Sequence, residues 1–71
     1  MEETNVQGYP VHHKKDVEKG VFHLEHILST DETESMFRNA RMSGSVKFED
    51  RVGRNYTLKH KPFGDYILEK R

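Results

Sequence analysis

The carboxy-terminal part of the chain contains the same loop chemistry twice, and this repetition constrains the fold more than any other feature. Two three-residue loops end in glycine, Arg51–Gly53 and Pro62–Gly64, and they separate runs of alternating apolar and polar residues. The last position of such a hairpin loop is left-handed, a conformation that glycine adopts without a Cβ penalty. Alternation over about four to eight residues is typical of a β-strand with one buried face. The sequence therefore predicts a three-stranded antiparallel meander between Ser45 and Arg71.

The charges beside the loops predict the register of this meander. Each loop is flanked by opposite charges, Asp50 with Arg54 and Lys61 with Asp65. If these pairs close the hairpins, the apolar side chains of all three strands fall on one face, as a half-buried sheet requires. The predicted opposite pairs are Phe48–Tyr56, Val46–Leu58, Leu58–Leu68 and His60–Tyr66. The other face is expected to be solvated and carries Lys47, Glu49, Asn55, Thr57, Lys59, Ile67, Glu69 and Arg71.

A helix is predicted just before the meander. Ser29 followed by Glu32 fits a capping box, in which each residue bonds the backbone N–H of the other. Gly44 is a suitable helix stop. The sequence predicts a helix over residues 31–43 that packs on the sheet through apolar residues at helical spacing. These residues are Met36, Phe37 and Ala40.

Residues 21–28 fit two patterns. Phe22, Leu24, His26 and Leu28 alternate as in a strand, whereas Val17, Val21, Leu24 and Leu28 repeat as on a helix. We favour the strand because the segment is rich in β-formers and because Gly20 would cost about 1 kcal/mol inside a helix. The first sixteen residues show no sustained period, and we expect residues 1–16 to be a flexible or exchanged arm.

These elements predict an α+β fold. Residues 17–71 are expected to form one small domain, in which an N-terminal strand and one helix precede the antiparallel meander, in the order β-α-β-β-β.

The chain has no net charge, but its charges are sorted along the sequence. Residues 1–37 carry eight acidic and three basic side chains, a net charge of −5, and residues 38–71 carry nine basic and four acidic ones, a net charge of +5. Such sorting indicates either a nucleic-acid surface in the basic part or attraction between the two parts, within one molecule or across a dimer.

The chain is short and has little apolar material for a core. Of its 71 residues, 32% are hydrophobic and 34% are charged, whereas an average domain is roughly 45–50% apolar. The core is therefore thin, or a second subunit completes it. The absence of cysteine excludes disulfides and thiolate zinc sites. No apolar stretch is long enough to span a membrane, and we expect a cytoplasmic protein without membrane contact.

No motif predicts catalysis. The chain lacks a glycine-rich phosphate loop, a metalloprotease helix and a cysteine nucleophile, so we expect a protein that is not an enzyme and uses no cofactor. His23 and His26 would share a helix face, where a metal could join them, but they point to opposite sides of a strand. We predict no metal site on the favoured strand.

The function that we favour is a small protein-interaction or regulatory module, which binds a protein partner or a second copy of itself as a homodimer. An exposed edge strand of the meander, 46–50 or 65–70, offers backbone hydrogen bonds to a partner strand. The apolar anchors and orienting charges expected there are Arg51, Val52, Arg54, Phe63 and Ile67.

Nucleic-acid binding is the alternative function. A two-stranded ribbon can enter a major groove, and basic side chains hold phosphates. The overall neutrality of the chain speaks against this alternative. The candidate residues are Arg38, Arg41, Arg51, Arg54, Lys59, Lys61, Lys70 and Arg71.

Overall fold

A mixed five-stranded sheet with helices on one face makes up the fold in the computed structural model, which describes residues 1–71. The strands are β1 (Glu2–Val6), β2 (Tyr9–His13), β3 (Ser45–Glu49), β4 (Asn55–His60) and β5 (Tyr66–Lys70). The helices are α1 (Glu18–Phe22), which follows a 3₁₀ turn (Lys15–Val17) and continues as a π-helical turn (His23–Ile27), and α2 (Thr30–Ser43). The sheet order is β1-β2-β5-β4-β3, and β2 and β5 are its one parallel pair.

The meander and its register are confirmed. Val46 lies opposite Leu58, Phe48 opposite Tyr56, Leu58 opposite Leu68, and His60 opposite Tyr66. The flanking charged pairs close the hairpins, since the backbone N–H of Asp50 donates to the Arg54 carbonyl at 2.9 Å and that of Lys61 to the Asp65 carbonyl at 2.7 Å. Gly53 and Gly64 have φ of 88° and 97°, the left-handed region that the loop chemistry requires.

The helix before the meander is also confirmed, with a start one residue earlier than predicted. The Ser29 hydroxyl accepts from the Glu32 N–H at 3.2 Å, and the Glu32 carboxylate accepts from the Ser29 N–H at 3.0 Å. Gly44, at φ 92°, ends the helix. Phe37 and Ala40 are buried against the sheet and Met36 is half-buried.

The predicted strand over residues 21–28 was wrong, because this segment is helical up to Ile27. Its helical stripe is buried at Val17, Val21 and Leu24, and Leu28 is half-buried. Gly20 lies against the ring of Tyr56, where an added Cβ would come within 2.8 Å of Cε1. Gly20 lowers the intrinsic helix propensity of this segment, but its missing Cβ allows the helix to pack closely on the sheet.

Two further strands extend the sheet, so the predicted β-α-β-β-β order was incomplete, although the α+β class is confirmed. β1 and β2 form a hairpin whose two turn residues, Gln7 and Gly8, have φ of 53° and 90°, the combination found in type I′ turns. β2 then pairs in parallel with β5, with Val11 beside Tyr66. Residues 1–16, for which we expected a flexible or exchanged arm, supply two strands of this sheet.

The core lies between the helices and the inner face of the sheet. Tyr9 stacks on Phe37 with ring centroids 4.3 Å apart, and Tyr66 and Phe37 are T-shaped with centroids 4.8 Å apart. This aromatic cluster joins β2, β5 and α2. The hydroxyl of the buried Thr33 donates to the Leu24 carbonyl at 3.0 Å, which ties α2 to the π-helical turn. Every buried side-chain nitrogen and oxygen has a hydrogen-bond partner.

Candidate functional site

A cleft of about 490 Å³ lies between the α1 side of the molecule and the turn that joins β3 to β4. Phe22 and Ile27 are the apolar residues of the helical wall, and Val52 is that of the turn wall. A volume of this size falls in the range of small-ligand pockets, about 300–1,000 Å³. The cleft is therefore large enough to receive one or two side chains of a partner.

Asp50 organises the turn wall. Its carboxylate accepts from the backbone N–H groups of Val52 at 3.0 Å and Arg54 at 2.8 Å, from the Arg54 guanidinium at 3.2 Å, and from the Tyr56 hydroxyl at 3.3 Å. The side chain is only 6% exposed. Burial opposes ionisation of Asp50, but the Arg54 and Val52 amides and the Arg54 guanidinium outweigh it and hold the pKa of this carboxyl below its ordinary value. The turn is thereby anchored to β4.

Apolar surface is exposed on both walls of the cleft. Phe22 is 55% exposed and Val52 is 68% exposed. The Phe22 ring is supported from one side by the His26 ring, with centroids 4.8 Å apart. Large apolar side chains held at this exposure around one concave surface are typical of binding sites.

The charges of the cleft favour an anionic ligand. Three cations, Lys19, Arg51 and Arg54, line it together with two carboxylates, Glu18 and Asp50. The ion pairs between carboxylates and lysine or arginine are Arg54–Asp50 and Lys59–Glu69, so Lys19, Arg51 and Glu18 of the cleft form no ion pair within the chain. An acidic group on a ligand would find these two cations available.

The structure brings together three of the five predicted partner-binding residues. Arg51, Val52 and Arg54 line the cleft. Phe63, which is 97% exposed, lies in the turn at the other end of β4, a six-residue strand that spans about 17 Å. Ile67 is half-buried on the outer face of the sheet, opposite Lys59.

The helical wall of the cleft was missed from the sequence. Lys19, Phe22 and Ile27 belong to it. The favoured strand over residues 21–28 would place Phe22 and Ile27 on opposite faces and leaves Lys19 outside the element, so the three were not recognised as one wall. The helical repeat of Val17, Val21 and Leu24 was the available signal, since it identifies the buried face and leaves Phe22 on the exposed one.

The basic residues of the nucleic-acid alternative lie on different sides of the molecule. Arg38 and Arg41 are exposed on α2, over the inner face of the sheet. Lys59 is on the outer face, where its ammonium lies 2.6 Å from the Glu69 carboxylate. Arg38 and Arg41 are therefore separated from Lys59 by the sheet. The others lie in turns, next to strand ends or, for Lys70, at the last position of β5: Arg51, Arg54, Lys61, Lys70 and Arg71.

One of the two edge strands considered from the sequence is an edge. β3 ends the sheet on one side and β1 ends it on the other. The expectation of an edge at residues 65–70 was wrong, because β5 is hydrogen-bonded to β2 as well as to β4. β3 is followed directly in the chain by the turn that forms one wall of the cleft.

Neither histidine of the π-helical turn belongs to a metal cluster. His23 is buried against the Phe48 ring, with centroids 5.8 Å apart, and His26 is exposed beside Phe22. No group of three or more histidine, cysteine, aspartate or glutamate side chains is arranged to hold a metal ion.

None of the helices combines the length and the apolar character needed to cross a membrane. No protein-family model matches the chain, and comparison with curated proteins and with solved structures found no similar protein.

Proposed function

We propose that this protein is a small interaction module that binds a segment of a partner protein in the cleft between α1 and the β3–β4 turn. The segment would carry an apolar side chain next to an acidic one. The observation that carries the proposal is the presence of exposed Phe22 and Val52 in one cleft with the unpaired cations of Lys19 and Arg51.

The two chemical parts of the cleft have different roles in this proposal. Phe22 and Val52 bury the apolar side chain of the segment, which supplies most of the affinity. Arg51 binds the carboxylate and orients the segment, which supplies specificity and a faster association. Arg54 is held by Asp50 and stabilises the turn. The activity is binding without catalysis or cofactor, and we place it in the cytoplasm.

The first experiment is recovery of partners on tagged protein from its native lysate, with and without nuclease. Proteins retained after nuclease treatment are identified, and their binding segments are mapped with synthetic peptides. We expect peptides that pair an acidic with an apolar residue, and a loss of affinity of about tenfold or more for Arg51→Glu and for Phe22→Ala.

Matched variants away from the cleft serve as controls. Arg38→Glu changes an exposed cation on α2 and Phe63→Ala removes an exposed aromatic ring at the far turn. Both should retain peptide affinity. Equal losses in the cleft and control variants would contradict the proposal. Recovery of nucleic acid alone, lost on nuclease treatment and at higher salt, would instead support the alternative function.

A further inference from the structure

The edge strand β3 leaves alternate backbone groups without a partner. The His60 N–H donates to the Gly44 carbonyl at 3.0 Å, and the Asp50 N–H donates to the Arg54 carbonyl at 2.9 Å. Hydrogen-bonded and non-hydrogen-bonded pairs alternate along an antiparallel ladder. The even-numbered residues from 44 to 50 therefore direct their N–H and C=O groups to β4. The residues that direct theirs away from the sheet are Ser45, Lys47 and Glu49, and all are exposed.

We propose that two copies of this chain form a homodimer through antiparallel pairing of their β3 strands, with Lys47 of each copy opposite Glu49 of the other. The pairing continues the two sheets as one ten-stranded sheet. It goes beyond the partner-binding cleft, because it uses the edge of the sheet and needs only a second copy.

Charge complementarity selects this register. Two-fold pairing centred on Phe48 forms two lysine–glutamate pairs, both on the outer face of the sheet. Pairing centred on Lys47 would oppose two lysines, and pairing centred on Glu49 would oppose two glutamates. Pairing centred on Val46 would set Lys47 opposite serine and gain no attraction. Among the four registers, only the one centred on Phe48 satisfies the free backbone groups and also places opposite charges together.

Apolar side chains are distributed to support the same register. The two Phe48 residues become directly opposite on the inner face, where Cβ atoms of a non-hydrogen-bonded pair lie about 4.5–5.5 Å apart. Each Phe48 ring already stacks on Tyr56, with centroids 5.3 Å apart.

The other edge lacks this self-complementarity. Val6 and Tyr9 flank the two-residue turn and form a hydrogen-bonded pair of the β1–β2 hairpin. By the same alternation, Glu3 and Asn5 direct their backbone N–H and C=O groups away from β2. Pairing β1 with itself forms no pair of opposite charges. Pairing β1 with β3 of another copy is head-to-tail and would produce rings or open assemblies instead of a two-fold dimer.

Charge exchange tests the proposal. The molecular mass in solution is measured by light scattering or sedimentation from about 0.05 to 1 mM, because a short-strand interface is expected to be weak. Lys47→Glu and Glu49→Lys each turn both attractive pairs into repulsive ones, and each should raise the dimer Kd about tenfold or more. An equimolar mixture of the two variants should form a heterodimer. The exchanged double variant should recover the dimer of the original chain.

Two further measurements separate this result from unfolding and from the cleft. Circular dichroism must show that each variant keeps the fold. Amide hydrogen exchange should slow with concentration at Lys47 and Glu49 and stay unchanged at Glu3 and Asn5. Phe22→Ala should lose peptide binding without changing self-association, so the two proposals can fail independently. A monomer at about 1 mM, open-ended assemblies, or a variant mixture that does not associate would overturn the dimer.

Discussion

Gly20 lies where α1 crosses the ring of Tyr56, and the absence of a Cβ at this residue sets the distance between helix and sheet. The Tyr56 ring is fully buried, and its hydroxyl donates to the Asp50 carboxylate at 3.3 Å. Displacing the ring would disturb both the core and the turn wall of the cleft. Glycine costs about 1 kcal/mol in a helix relative to alanine, and this local cost is outweighed here by the packing of a whole aromatic side chain.

We therefore expect Gly20→Ala to destabilise the protein by about 1–3 kcal/mol, although alanine is the better helix former. The reason is overpacking, because the new Cβ would lie 2.8 Å from Tyr56 Cε1. The free energy of unfolding is measured in urea. Lys19→Ala, at an exposed position of the same helix, is the control and should change stability by about 0.5 kcal/mol or less. A Gly20→Ala protein as stable as the original would contradict the close contact.

The elements of the carboxy-terminal half follow from chemistry that acts over a few residues. The β3–β4 and β4–β5 turns each place glycine in the left-handed region, and α2 begins at a capping box. Nothing lies within 4 Å of a Cβ added at Gly53 or Gly64. The requirement for glycine at these two positions is therefore conformational and does not arise from crowding, which is why the loop sequence alone could predict it.

At the β4–β5 turn we expect Gly64→Val to destabilise the protein by about 1–2 kcal/mol, because a branched side chain is poorly accommodated at φ 97°. Gly64→Asn should cost less, since asparagine tolerates the left-handed region better. Thermal unfolding of both variants checks the order. Equal stability of Gly64→Val and the original chain would count against the turn geometry.

In the whole molecule the sorted charges do not produce many ion pairs between the two halves of the sequence. Arg54–Asp50 and Lys59–Glu69 both lie within the basic half. The side-chain contact of this kind that joins the halves is a hydrogen bond between the His12 ring and the Asp65 carboxylate, at 3.1 Å between β2 and the β4–β5 turn. No ion pair joins an acidic side chain of residues 1–37 to a basic side chain of residues 38–71, so the expected attraction between the halves is not expressed as direct contacts.

Three carboxylates make the stability of the whole molecule depend on acidity. The Ser29 amide and hydroxyl lower the pKa of Glu32, hydrogen bonding and charge from Lys59 lower that of Glu69, and the pKa of Asp50 is lowered against the effect of burial. The ordinary pKa is 4.5 for Glu32 and Glu69 and 3.8 for Asp50. The pKa of each carboxyl is lower in the folded state than in the unfolded state. These groups therefore stabilise the fold fully when the pH is above the unfolded-state pKa. The stabilisation is lost as the pH falls through the folded-state pKa.

We expect the free energy of unfolding to decrease as the pH is lowered below about 4.5. Asp50→Asn removes one of the titrating groups, so its stability should decline less steeply over this range. Urea unfolding at a series of pH values measures both slopes. The same slope in the variant and the original chain would show that Asp50 has no lowered pKa.

Sequence alone determined the meander, its register and the capped helix α2, because hydrogen-bonding, charge and conformational preferences of residues close in the chain specify these elements. Tertiary structure decided the helical state of residues 21–27, the parallel pairing of β2 with β5, and the meeting of the helical wall with the turn wall in one cleft. These depend on residues far apart in sequence, such as His12 and Asp65, which are 53 positions apart. Gly20 illustrates the reason: its local preference disfavours a helix, and only the buried ring of Tyr56 reverses the balance.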